Sequence, residues 1–180
     1  DMGHGGKDPG AIGESLEEKN VVLSIGKKLG TRLRDFKYDV MYTRKKDVYL
    51  SLEERWKKAN EAGADLFISL HCNAAENGAA RGTETFYYPT SKVGKELAQE
   101  IEATLEDFTD YDSRGAKACD NKRDNDNVKY IQVLAKTKMP AVLVECGFLT
   151  NSVENHLLQD RGYQYLIGYG IASAIHNYFE

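Results

Sequence analysis

Apolar residues recur at three- and four-residue steps from Leu16 through Val21, Val22, Ile25, Leu29 and Leu33. That is the spacing of one helical face. Glu14, Glu17 and Glu18 crowd its first turns, where the helix dipole favours negative charge. Tyr38 to Tyr42 alternates and reads as a strand. Ser51, followed three residues later by Glu54, has the spacing of a capping box; the helix it opens runs through Trp56 and Ala59 to about Gly63. The runs Asp65 to His71 and Pro140 to Glu145 are short and almost continuously apolar, as in strands buried on both faces. Thr83 to Tyr88 is a further strand, rich in aromatic and β-branched residues. Leu97, Ile101 and Leu105 mark the stripe of a helix over 92–108, and the chain from Ser152 onward closes in helices, the last over 162–179.

Strands that alternate with helices predict an α/β fold: a single domain with a mostly parallel central sheet and helices on both faces. No repeat, linker or low-complexity tract interrupts residues 1–180, so the whole chain reads as one domain. From Thr109 to Asn127 the sequence is polar and without period, which makes it the longest loop candidate. Gly3, Gly5, Gly6, Gly10 and Gly13 mark another loop. In a fold of this class such a loop follows a buried first strand. That strand is expected either to lie before Asp1 or to keep Asp1 as its last residue.

Composition narrows the function. The formal net charge is −4 and no dense basic block occurs beyond short runs such as Lys122-Arg123, so a nucleic-acid partner is excluded. No apolar run is long enough to span a membrane. No leader pattern is visible, which leaves an export signal or wall-anchoring domain to residues outside this stretch. Cys72, Cys119 and Cys146 are odd in number and rule out a disulfide scaffold. Cys72 and Cys146, in apolar runs, read as buried hydrophobes; Cys119, in a polar segment, reads as an exposed thiol.

The chemistry-bearing residues fall at telling places. His4 is in the glycine loop, His71 ends one buried strand, Glu145 stands near the end of another, and Glu18 is early on the first helix. Loops at the carboxyl ends of parallel strands gather into one crevice, so these side chains can meet there. Catalytic zinc takes three protein ligands and leaves one position open. His4, His71 and one glutamate supply such a set, and a further carboxylate can act as general base and acid. A carboxylate in a strand as apolar as that of Glu145 costs several kcal/mol unless something nearby compensates it.

Longer motifs add to this reading. Asp1-Met-Gly-His-Gly-Gly-Lys-Asp-Pro-Gly-Ala-Ile-Gly13, Glu18-Lys-Asn-Val-Val-Leu23, Thr43-Arg44 with Asp47, Leu52, Glu54 and Arg55, Ala64 to Ala74, Gly82-Thr-Glu-Thr-Phe86 and Met139 to Asn151 occur in order along the chain. Together they closely resemble the N-acetylmuramoyl-L-alanine amidases of the type-3 zinc family. The resemblance implies that His4, Glu18 and His71 hold Zn2+, with Glu17 the competitor for the carboxylate position, and that Glu145 is the catalytic carboxylate. It implies hydrolysis of the amide between N-acetylmuramic acid and L-alanine of peptidoglycan, outside the cell or in its envelope; the oligomeric state is left open, with a monomer favoured. Autolysin, spore enzyme and phage endolysin are equally compatible with it. Asn73 and Arg114 are the candidates for contacting the stem peptide, arginine because it suits a carboxylate. Arg44 and Arg55 are read either as orienting the active-site carboxylates or as ordinary structural pairs. Cys72 and Cys146 depart from the family pattern and, by strand alternation, should point away from His71 and Glu145. His156 and His176 read as surface or helix-packing residues. The rival functions are a cell-wall peptidase or deacetylase on the same framework, and a wall-binding module without activity.

Overall fold

The fold is built on four strands whose faces are chosen by alternation. The protein is described by a computed structural model covering residues 1–109, 112–119 and 131–180. The strands are β1 (Phe67–Asn73), β2 (Thr83–Tyr87), β3 (Ser113–Ala118) and β4 (Ala141–Phe148), in the order β1-β4-β2-β3. β1 runs parallel to β4 and β2 parallel to β3, while β2 and β4 meet antiparallel. The central strand β4 is buried at every position, as its unbroken apolar run requires.

One face of the sheet carries Leu70, Cys72, Val142, Val144 and Cys146 into the main core. Helices α1 (Glu18–Asp35), α3 (Lys92–Thr109) and α6 (Arg161–Phe179) cover that face, with α6 packed between the other two. α5 (Ser152–Gln159) closes the end of β4. Among the described residues the opposite face has far less cover. Phe67, Phe86, Ala141 and Leu143 pack there against residues of α2 (Leu52–Ala62), α4 (Gln132–Lys136) and their flanks. Ser51 and Glu54 form the capping box that starts α2, each side chain bonded to the other residue's backbone N–H.

The expected α/β architecture with helices on both faces is the observed one, with three corrections. Tyr38 to Tyr42 is not a strand. A groove of about 810 Å³ lies between this segment and β1, and among the described residues the segment joins no ladder. Arg34, near the end of α1, takes up the Val40 carbonyl instead at 3.1 Å. The polar stretch read as a loop contains β3: Ser113 bonds to Glu102 on one face while Arg114 and Lys117 bond to Glu84 on the other. These partners override the weak β-propensity of the sequence. Residues 110, 111 and 120–127 of that stretch, including Lys122-Arg123, lie outside the described residues. Finally, Cys119 is buried rather than exposed and packs with Phe86 and Ile131. Its amide donates to the Tyr87 carbonyl, which draws it in beside β2. Cys72 and Cys146 are core residues as expected, and burial pushes both thiols well up.

Glu102, on α3, is buried beneath β2 and β3 and accepts from the hydroxyls of Thr83, Thr85 and Ser113. Burial raises its pKa despite those bonds. Its stabilising contribution is therefore fully present below the ordinary carboxylate value and is lost as pH rises through the raised one. Glu102→Gln, which keeps an acceptor for the hydroxyls, is expected to flatten the fall in melting temperature as pH rises from about 4. Melting curves across that range check it, and an unchanged slope would contradict it.

Candidate metal centre and catalytic carboxylate

The loop that presents His4 is held by two buried guanidinium groups. Arg44 donates from Nε to the Met2 carbonyl at 2.9 Å and from Nη2 to those of Gly3 and Lys19 at 2.8 and 2.9 Å. Arg55 donates to the carbonyls of Met2 and His4 at 2.7 and 2.8 Å, and to the Asp1 carboxylate at 2.9 Å. Each arginine is only 3% exposed. They fix the backbone of the loop rather than the active-site carboxylates, and so act one step behind the chemistry. His4 itself has φ of 56°, a left-handed conformation that costs a non-glycine residue about 1–3 kcal/mol and needs such support.

Three side chains from three elements then converge. His4 Nε2 lies 3.1 Å and His71 Nδ1 2.9 Å from the same oxygen, Oε1 of Glu18. That oxygen also accepts from the Cys72 amide at 3.0 Å, and Oε2 accepts from the Ala11 amide at 2.8 Å. Glu18 is thereby tied to the ends of both the loop and β1. Glu17, the competitor, points outward to Asn20 and Lys19. Among the described residues, His4, Glu18 and His71 are the group placed to share a metal ion, their ligand atoms within 4.8 Å of one another.

The donor set fits a catalytic metal: two imidazoles and one carboxylate, leaving a position open. Asp8, which the sequence reading missed, faces His4 Nδ1 at 2.8 Å. A carboxylate there accepts the Nδ1 proton and leaves Nε2 as the coordinating nitrogen. Its place four residues after His4 in the same loop was the available signal. Burial works against charge at Glu18 and His4 alike. The bonds and charges of the two histidines nevertheless hold Glu18 well below the carboxylate range, while Glu18 and Asp8 raise His4. Two glycines make room: a Cβ at Gly3 would overlap the His71 ring, and one at Gly10 would meet His4 and Glu18.

Glu145 is 2% exposed and stands beside His71 in the parallel register of β1 and β4. Glu84 follows it on β2, paired with Glu145. His71, Glu145 and Glu84 thus form a row across the less covered face of the sheet. A cavity of about 210 Å³ opens on the His4–His71 side, walled by Tyr49, Leu52, Ile131 and Val133. Asn73 and Arg114 do not join the triad; both bond to Glu84, at 2.5 and 3.1 Å. His156 is exposed and His176 stacks on Phe36 at 4.1 Å between ring centroids, both away from the site.

Comparison with known proteins follows the same lines. The family described as N-acetylmuramoyl-L-alanine amidase matches residues 1–177. The N-acetylmuramoyl-L-alanine amidase LytC of Bacillus subtilis (strain 168) is 37% identical over 166 residues, 91% of this chain and 32% of LytC. The endolysin of Bacillus phage SPP1 is 37% identical over 182 residues, 97% of this chain and 63% of the endolysin. The chain therefore spans about a third of the one relative and less than two thirds of the other. The solved N-acetylmuramoyl-L-alanine amidase from Clostridium difficile 630 superposes with a TM-score of 0.88 at 34% identity, covering 99% of this chain and 94% of that one.

Gly3→Ala is expected to displace the His71 ring and weaken metal binding by about tenfold or more, with the far-ultraviolet circular dichroism retained. Competition against a chromophoric chelator measures this. Unchanged affinity would mean that His71 is not held by the contact with Gly3.

Proposed function

We propose a function from one premise: the chain belongs to the N-acetylmuramoyl-L-alanine amidase family. Residues 1–180 are a zinc-dependent catalytic domain that hydrolyses the amide between the lactyl group of N-acetylmuramic acid and L-alanine in peptidoglycan. The observation that carries this is the convergence of His4, Glu18 and His71 beside a buried Glu145. The relatives, N-acetylmuramoyl-L-alanine amidases and a phage endolysin, support the choice of bond and polymer.

His4, Glu18 and His71 would hold the zinc, which when bound supplies a Lewis acid for the amide carbonyl and for activating water. Asp8 keeps the proton on His4 Nδ1 and so keeps Nε2 free to coordinate. Glu145 removes the proton of the attacking water and returns it to the nitrogen of L-alanine, which leaves as an amine. Glu145 is almost fully shielded from solvent, which suits a carboxylate that must direct proton transfer. No helix among the described residues is long and apolar enough to cross a membrane. The site of action is the cell envelope or the medium around it.

Product analysis separates this from a peptidase or deacetylase with the same ligands. A soluble muramoyl-peptide is expected to yield an intact sugar and a peptide with a new L-alanine amino terminus, read by mass. Chelation abolishes cleavage. Glu145→Gln lowers the rate by about 10²–10⁴ while the protein keeps its metal. Free acetate, or a cut elsewhere in the peptide, would overturn the bond named; cleavage that survives chelation would overturn the zinc.

A further inference from the structure

Glu84 is 6% exposed and sits next to Glu145 across the β2–β4 pair. It accepts from side chains on two other strands: Asn73 of β1, and both Arg114 and Lys117 of β3. Arg114 and Lys117 meet at the same oxygen, Oε2. One buried carboxylate thus holds two cations at a single oxygen. The cations are not buried with it, since their side chains are 39% and 38% exposed. The guanidinium of Arg114 also lies over the Phe148 ring at 5.0 Å, three residues beyond Glu145 on β4. That contact flattens the fork against the sheet and fixes its plane.

Ion pairing alone does not require this arrangement. A single lysine would neutralise Glu84, and exposed ion pairs contribute little to stability. Burial works against charge on Glu84, yet the hydrogen bonds and charges of Lys117 and Arg114 hold its carboxyl below the ordinary value. Glu84 therefore stays an anion, and its partners stay fixed beside the catalytic row. The two flanks of the row differ in kind. The His4–His71 side opens on apolar walls, and the Glu84 side presents guanidinium and ammonium groups.

We propose that Arg114 and Lys117, positioned by Glu84, form a binding site for a free carboxylate of the stem peptide and so place the peptide on the β2–β3 side of the scissile amide. This rests on the amidase reading for the identity of the ligand. The site discriminates a stem peptide whose second residue carries a free α-carboxylate from one in which that group is an amide. The amide carries no negative charge to pair with the two cations, and its NH2 group replaces one of the two accepting oxygens. Glu84 is a positioning residue and touches no substrate.

The test is binding rather than turnover. Two synthetic stem peptides beginning with L-alanine and differing only in carboxylate against amide are titrated by calorimetry into the zinc-loaded protein, at low and at moderate salt. The carboxylate form is expected to bind about tenfold or more tightly, with the margin shrinking as salt rises. Arg114→Gln and Lys117→Gln each lose most of that margin. Glu84→Gln also loses much of it, although both cations remain, and Glu84→Asp restores part. A merely structural ion pair would leave the margin intact in Glu84→Gln. Equal binding of the two peptides, or a margin that survives all three glutamine variants, overturns the proposal. The amidase reading fails separately, if the carboxylate peptide binds as described but intact muramoyl-peptide is cut at another bond.

Discussion

The structure depends on the burial of Arg44 and Arg55 beneath the glycine loop. Desolvating a guanidinium costs several kcal/mol unless its donors are satisfied, and here they are met by carbonyls of Met2, Gly3, His4, Lys19, Lys46 and Leu50 and by the Asp1 carboxylate. The cost of burial is offset only when the loop runs along one path. That path puts His4 in a left-handed conformation and brings its ring to 5.0 Å from that of His71, at a steep angle. A loop rich in glycine would otherwise sample many conformations, and a metal centre built on it would lose affinity to that entropy.

A second constraint is the uneven cover of the sheet. Three helices seal one face, while among the described residues α2 and α4 cover only part of the other. The end of the open face formed by the carboxyl halves of β1 and β4 and the start of β2 carries His71, Glu145 and Glu84 in one row, joined by β-register rather than by loops. Sites built on strands hold their geometry better than sites built on loops. Only His4 and Asp8 come from a loop, and that loop is the one the arginines fix. Glu18 reaches the row from the sealed side, over the end of β1, which is why it bonds to the Cys72 amide there.

Much of this was legible in the sequence because local pattern and global fold agree. Continuous apolar runs marked β1 and β4, the capping box marked α2, and each histidine or glutamate stood at the end of an element where convergence was the natural outcome. What was not legible depended on partners distant in sequence. β3 is polar because its side chains are matched to Glu84 and Glu102, and no periodicity announces that. Tyr38 to Tyr42 alternates like a strand but among the described residues pairs with none across the groove. Cys119 sits in a polar context yet is drawn into the core beside Phe86. The arginines showed the same limit: their charge suggested carboxylate partners, whereas their donors serve mainly backbone carbonyls, which no sequence pattern displays.

The central claim is that three elements meet to form one metal centre with Glu145 beside it. An anomalous difference map at the zinc absorption edge, from crystals of the zinc-loaded protein, tests it most directly. The account predicts one dominant peak bounded by His4 Nε2, Glu18 Oε1 and His71 Nδ1, with its open side toward Glu145. A dominant peak elsewhere, or one that lacks Glu18 or either histidine among its ligands, would contradict it.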